Sequence, residues 1–329
     1  MNTHDDPLRD ARRAVHGGRF REAWDELQRS SDAVRISPEW QLLAAMAAWR
    51  LGDFARSRSA AVQARDGYRA VGDADGEMRS ENVAAAGAFA VGSLRDAERG
   101  FSRAMGLADE LADDLMTARC ANNLGNVAYY LAQYVTALSF YRLATATFGK
   151  IESWKGLAEA WLNTTIVLRE FGDLEGASDA GERAVTSAEL AEDQRILGQA
   201  LAARADVYVE LGDLELAQVQ AERALALATS NDDLLGEAEA SRILSIIARR
   251  SGAFDHAEEA GRRALAIAER VRHPWTEAEA QRELGELYGR TGRGAQARAA
   301  LAAAARGFES LGATSRAEEM RLRADAVVG

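Results

Sequence analysis

One turn returns along this chain at a fixed interval. It reads Gly52-Asp53-Phe54, Gly92-Ser93-Leu94, Ala132-Gln133-Tyr134, Gly172-Asp173-Leu174, Gly212-Asp213-Leu214, Gly252-Ala253-Phe254 and Gly292-Arg293-Gly294, in successive steps of 40 residues. An earlier copy, Gly18-Arg19-Phe20, lies 34 residues upstream of Gly52. A period in this range is the mark of a solenoid, in which each unit buries its apolar face against its neighbours alone. Such a stack has no central core to outgrow, so 329 residues can form one array instead of two or three globular domains. With only 3 prolines and runs rich in Ala, Glu, Arg and Leu, the expectation is nearly all-helical structure.

Small residues mark the helix contacts. Seven places before the turn stand Ala11, Ala45, Ala85, Gly125, Thr165, Ala205, Ser245 and Gly285. Five places after it stand Ala23, Ser57, Ala97, Ala137, Ala177, Ala217, Ala257 and Ala297. Twelve places after it stand Ser30, Ala64, Ala104, Ala144, Ala184, Ala224, Ala264 and Ala304. Side chains this small let helix axes approach closely. A large apolar residue two places after the turn (Phe20, Phe54, Leu94, Tyr134, Leu174, Leu214, Phe254) fills the wedge between paired helices, and Gly294 predicts a looser last turn.

This pattern resembles the tetratricopeptide repeat, most closely at Ala121-Asn122-Asn123-Leu124-Gly125-Asn126-Val127-Ala128-Tyr129-Tyr130 followed by Ala137. The proline that usually closes each unit is missing, and the second helix is longer. Repeats of this length are similar to those of bacterial peptide-sensing regulators, of the sensor arms of large bacterial transcription activators, and of polarity adaptors in animal cells. Phe308-Glu309-Ser310-Leu311-Gly312-Ala313 looks like the activators' repeats. No helix-turn-helix module or P-loop signature accompanies the array, so the resemblance implies a sensor arm alone. The expected fold is all-α: a right-handed α-solenoid of eight hairpins over about 4–36, 38–72, 77–112, 117–150, 157–192, 197–231, 237–272 and 276–312, plus a capping helix over 314–328. Pro7 and Pro38 suit first helical turns, and Thr276 with Glu279 reads as a capping box. Arg316, Glu318, Glu319, Arg321 and Arg323 read as the polar face of the cap.

The resemblance also implies that first helices line a concave groove. Units three and four then bring Arg79, Asn82, Phe89, Arg119, Asn122, Asn126, Tyr129 and Tyr130 to that face. Asn amides donate to and accept from a peptide backbone, rings give flat apolar contact, and arginine grips carboxylates. The same residues also suit plain packing or a solvated face. Arg169 of unit five belongs to the same groove set. In the last two units, Arg242, Arg249, Arg250, Arg282 and Arg290 read either as a positive rim for an acidic partner or as one side of ordinary helix charge pairs with Glu239, Glu279, Glu283 and Glu286. Trp49 is expected to face the groove.

Other chemistries find little support. Net charge is −11 and pI about 5.1, which disfavours direct nucleic-acid binding. His4, His16, His256 and His273 lack metal-ligand spacing, so neither a metal nor another cofactor is expected. Cys120, the single cysteine, reads as a buried thiol. Met1 to Asp6 is polar, without the apolar run of a signal peptide, and no stretch is long and apolar enough to span a membrane. The expectation is a cytoplasmic, non-enzymatic scaffold, adaptor or sensor that binds a protein or peptide segment in its groove. The alternative is a structural subunit or homo-oligomer joined through its ends or outer helices, with the run Ala299 to Ala305 as a sticky end.

Overall fold

The computed structural model describes residues 6–327; His4 and the last residue of the expected cap, Val328, lie outside them. All regular structure among the described residues is helical. The helices are α1 (Arg9–His16), α2 (Phe20–Gln28), α3 (Asp32–Arg35), α4 (Pro38–Arg50), α5 (Phe54–Val71), α6 (Ala74–Ala90), α7 (Leu94–Glu110), α8 (Asp114–Tyr130) and α9 (Tyr134–Lys150). They continue with α10 (Trp154–Phe171), α11 (Leu174–Leu190), α12 (Gln194–Leu211), α13 (Leu214–Ser230), α14 (Leu234–Arg250), α15 (Phe254–Val271), α16 (Pro274–Arg290), α17 (Gly294–Ser310) and α18 (Thr314–Asp325). The chain divides into two compact units, 1–127 and 128–329, with the boundary inside α8.

Two interleaved series of turns, not one, build the hairpins. The turn seen in the sequence has left-handed backbone at Gly18, Gly52, Gly92, Ala132, Gly172, Gly212, Gly252 and Gly292. A second series, also in steps of 40, is left-handed at Gly72, Ala112, Glu152, Glu192, Asp232, Arg272 and Gly312 and joins one hairpin to the next. The residue after each left-handed position opens the following helix. There Asp53, Asp73, Asp113, Asp173, Asp193, Asp213 and Asp233 each accept a hydrogen bond from a backbone N–H three residues on. From α6 onward, first helices accordingly start two or three residues earlier than the periodicity predicts, as α12 does at Gln194. At the last turn Gly292 has φ 73°, within the range of its equivalents, and the Arg293 guanidinium stacks 4.4 Å from the Tyr288 ring centre.

The small-residue stripes are the helix contacts. Ala23, Ser57, Ala97, Ala137, Ala177, Ala217, Ala257 and Ala297 are all fully buried. In the first unit a Cβ on Gly100 would come 2.8 Å from that of Ala85, and in the second a Cβ on Gly285 would come 2.7 Å from Leu301 Cγ, so neither place admits a larger residue without movement. Within the second unit each first helix touches the next as well as its own partner, along α10, α12, α14 and α16. Its core is a continuous apolar layer that includes Ile196, Leu197, Leu201, Val209, Ile243 and Ile247. The last helix buries Ala317, Met320 and Ala324 against Leu301, Ala305 and Phe308 of α17, which is the expected cap.

Helix starts agree in part with the sequence reading. Ser37 caps α4, accepting from Trp40 N at 3.3 Å, with Pro38 in the first turn. Pro7 is not in a helix, because α1 begins at Arg9 while Asp6 accepts from Leu8 N. The capping box at Thr276 and Glu279 does not form: His273 caps α16 through its ring, which accepts from Thr276 N, and Glu279 turns to other partners.

Candidate functional site

First helices repeat the same register, so side chains at equivalent positions stack along the face those helices share. In the second unit, that face carries a chain of ion pairs. Asp206 on α12 receives Arg169 Nη1 of α10 at 2.6 Å and Arg242 Nη2 of α14 at 2.7 Å. Arg242 also bonds Glu239 at 2.6 Å. On α16, Arg282 holds Glu279 at 2.8 Å. Arg316 of α18 reaches Glu279 at 3.1 Å, Glu170 at 3.1 Å and the Tyr129 hydroxyl at 2.8 Å. Arg169 in turn meets Glu170 at 2.8 Å, which joins the pairs into one chain of alternating charge from Glu239 to Arg282.

The network is largely dry. Arg242 is 3% exposed, Asp206 5% and Glu279 8%. Burial opposes the charge of Glu279, but Arg282, Arg316 and Arg242 outweigh it and bring its carboxyl down to about 2. Asp206 is likewise held below the usual carboxylate range: burial would raise it, and Arg242 and Arg169 overcome that. Burial works against Arg242 and Arg169 too, yet their acidic neighbours push both upward. Glu283 behaves differently, since burial raises it despite the Arg249 fork at 2.7 and 2.9 Å. Arg242 Nη1 is buried with no hydrogen-bond partner, although most buried donors find an acceptor.

An aromatic group flanks this network. Trp275 packs 4.4 Å from Tyr130, 6.2 Å from Tyr129 and 5.2 Å from Phe308, centre to centre. The Arg316 guanidinium lies 5.4 Å from the Tyr129 ring and 5.1 Å from that of Trp275. Burial pushes the Tyr130 phenol up to about 12 and Tyr129 higher still, with Arg316 pulling each the other way.

The residues singled out in the sequence fall into distinct surroundings. Tyr129, Tyr130, Arg169 and Arg242 come together in the second unit, along the chain of charge and its rings. Arg249 lies on the same run of helices, committed to Glu283. In the first unit, Arg79 is exposed and paired with Asp75 on its own helix, and Arg119 is exposed. Asn82 is half-buried, and its Oδ1 accepts from Asn123 Nδ2 at 3.4 Å and faces Cys120 Sγ at 3.8 Å. Asn122 is buried; Asn126 and Phe89 are half-buried. Trp49 stands edge-on to Phe54 under the Arg50 guanidinium. Cys120 is buried, and its thiol is pushed up to about 12 by that burial. Among the described residues, no group of three His, Cys, Asp or Glu side chains is placed to hold a metal ion, and no helix is long and apolar enough to cross a membrane.

Asp206, Glu170, Trp275 and Arg316 carry this site but were not in the peptide-binding set read from the sequence. One signal was available for Arg316. In steps of 40 the same register holds Gly76, Met116, Gly156, Ile196, Gly236 and Thr276, so arginine there breaks a run of small and apolar residues.

The family model of the tetratricopeptide repeat matches residues 196–270. No curated protein matches the chain. Among solved structures it is similar to a Rap protein complexed with competence and sporulation factor, at 15% identity and a TM-score of 0.67, over 98% of this chain and 96% of that one. It is similar to NprR in complex with its cognate peptide NprX, at 14% identity and a TM-score of 0.67, over 99% of each chain. It is also similar to aspartyl phosphate phosphatase F from Bacillus subtilis, at 13% identity and a TM-score of 0.58, over 99% of this chain and 94% of that one. At such identities the likeness is one of fold: a solenoid of tetratricopeptide-type hairpins.

Proposed function

We propose that this tetratricopeptide-repeat chain is a non-enzymatic sensor or adaptor that binds a peptide or protein segment on the shared face of its first helices. The observation that carries the reading is the convergence of Arg169, Asp206, Arg242 and Glu279 from four successive first helices, with a buried guanidinium nitrogen of Arg242 still lacking an acceptor. An extended peptide supplies a carbonyl every residue, and a buried donor without a partner is the kind of group such a carbonyl or carboxylate satisfies. Two of the similar structures are complexes, one with competence and sporulation factor and one with a cognate peptide, which supports the same use of the fold.

One similar structure is, by name, a phosphatase. The non-enzymatic reading rests on the side chains of this chain. Asp206 and Glu279 are both held ionised by arginines, so neither is poised to exchange a proton near neutral pH. The Cys120 thiol, at about 12, is far from a thiolate nucleophile.

The test is to pan a random linear heptapeptide library against the folded protein and titrate enriched peptides by fluorescence anisotropy. Wild type is compared with Arg242→Gln and, in case that variant misfolds, with the less buried Arg282→Gln. A peptide that binds wild type and loses at least about ten-fold in affinity in a folded variant supports the reading. No enrichment, or equal binding to all three proteins, sinks it.

A second reading, assembly through the outer helices, draws on α9. Its charged side chains are only Arg142 and Lys150, and it exposes Val135 and Leu143 two turns apart. Light scattering that shows a monomer at every concentration would remove it.

A further inference from the structure

The last helix does two jobs with two faces. Ala317, Met320 and Ala324 cover the apolar end of α17, as a terminal cap must. Arg316 meets that cluster only at the rings of Phe308 and Trp275, and its charged partners lie outside it. Its side chain is 17% exposed and leaves its own helix for partners far away in sequence: Glu279, Glu170 and, 187 residues distant, Tyr129. Those three acceptors belong to three different first helices, α16, α10 and the end of α8. Trp275 and Phe308 flank the same guanidinium at 5.1 and 6.0 Å. A cation between two carboxylates, a phenol oxygen and aromatic faces is bound as a ligand is bound, except that the chain itself supplies it.

A cap needs no such group, since equivalent positions in the earlier repeats are small or apolar. Arginine is also the side chain suited to bridging several acceptors at once, because its planar fork presents five N–H groups. We propose that Arg316 is an intramolecular latch: it occupies the shared face of the first helices in residues 128–329, ties the first of them to the last, and must be displaced for a ligand to enter there. The closure stands on the structure of that unit alone, and the gating of a ligand rests on the peptide-binding reading above. Releasing the latch takes Arg316 away from Glu170, Glu279 and the Tyr129 hydroxyl together, while Arg169 and Arg282 still hold the two acids. A protein held mainly in the latched state binds with an affinity reduced by the fraction that is open, so weakening the latch raises affinity.

Amide hydrogen exchange, read by mass spectrometry without any ligand, tests the closure. The variants are Arg316→Ala, Arg316→Lys and, as a cap control, Met320→Ala. In Arg316→Ala we expect exchange over residues 128–132 and 274–278 to speed up by about ten-fold or more while α12 and α14 keep their protection. Arg316→Lys should fall between, having lost the fork but kept the charge. Met320→Ala should loosen α17 and α18 without selectively opening residues 128–132. Unchanged exchange there in Arg316→Ala, or the same pattern in Met320→Ala, overturns the latch. Peptides from the panning experiment give the second readout. Tighter binding to Arg316→Ala than to wild type supports the gate, and equal or weaker binding overturns it. Faster exchange with no peptide bound by either protein supports the closure and overturns only the peptide-binding reading.

Discussion

Arg316 Nη2 donates to the Tyr129 hydroxyl at 2.8 Å across 187 residues of sequence. The bond joins the last helix of the chain to the first helix that contributes to the second unit, and it makes a phenol oxygen a structural acceptor. Tyr129→Phe removes that acceptor and little else, because the ring stacking is kept. Arg316 retains Glu170 and Glu279, so the expected loss is about 1 kcal/mol. Urea unfolding should show a lowered midpoint with an unchanged slope.

Asp206 separates the buried guanidinium of Arg242 from the half-buried one of Arg169, and its removal leaves the two facing one another. Asp206→Ala should therefore cost about 3–5 kcal/mol, the range for stranding a buried charge. The repeat itself suggests the repair: equivalent positions hold Ile166 and Ile246 for Asp206, and Leu162 for Arg242. The Asp206→Ile/Arg242→Leu pair should be clearly more stable than Asp206→Ile alone, as a double-mutant cycle on thermal or urea unfolding would reveal.

Glu279 gives the chain an acid-sensitive element. Its carboxyl sits at about 2 in the folded protein against an ordinary 4.5. A depressed carboxylate stabilises the fold above its unfolded value, and that contribution fades as pH drops from about 4.5 to about 2. The amount at stake is on the order of 3 kcal/mol. Glu283, raised by burial, titrates in the opposite sense. Unfolding free energy measured between pH 5 and 2 should fall less steeply for Glu279→Gln than for wild type.

Ala132 occupies a left-handed position, φ 56°, where every equivalent turn has glycine. An L-residue there costs about 1–2 kcal/mol of backbone strain, and glycine gives back part of that in unfolded-chain entropy. Ala132→Gly should raise stability by roughly 0.5–1 kcal/mol, and Gly212→Ala should lower it by a similar amount. A thermal midpoint that falls in Ala132→Gly would contradict the strain.

The 40-residue turn series, the alanine stripes and the helical hairpins were legible from the chain because each is a relation within one unit or between neighbours. Gly212 makes its turn, and Ala217 its close contact, for reasons that reside in those residues. The second turn series was not visible. Gly72, Ala112, Glu152, Glu192, Asp232, Arg272 and Gly312 share a conformation but no chemistry, since a helix ending under tertiary packing imposes the left-handed residue whatever its side chain. The candidate site was legible only in outline. Tyr129, Tyr130, Arg169 and Arg242 could be placed on the face of the first helices, but which acids they meet could not. Glu279 could be read as a cap and Arg316 as one more exposed charge, because local sequence offers each a local partner. Their true partners depend on how small rotations between successive hairpins add up over five repeats, a sum that no single repeat records. Sequence by itself determined what kind of stack this is; only the tertiary structure brought Arg316 of the last helix against the face shared by the first helices of residues 128–329.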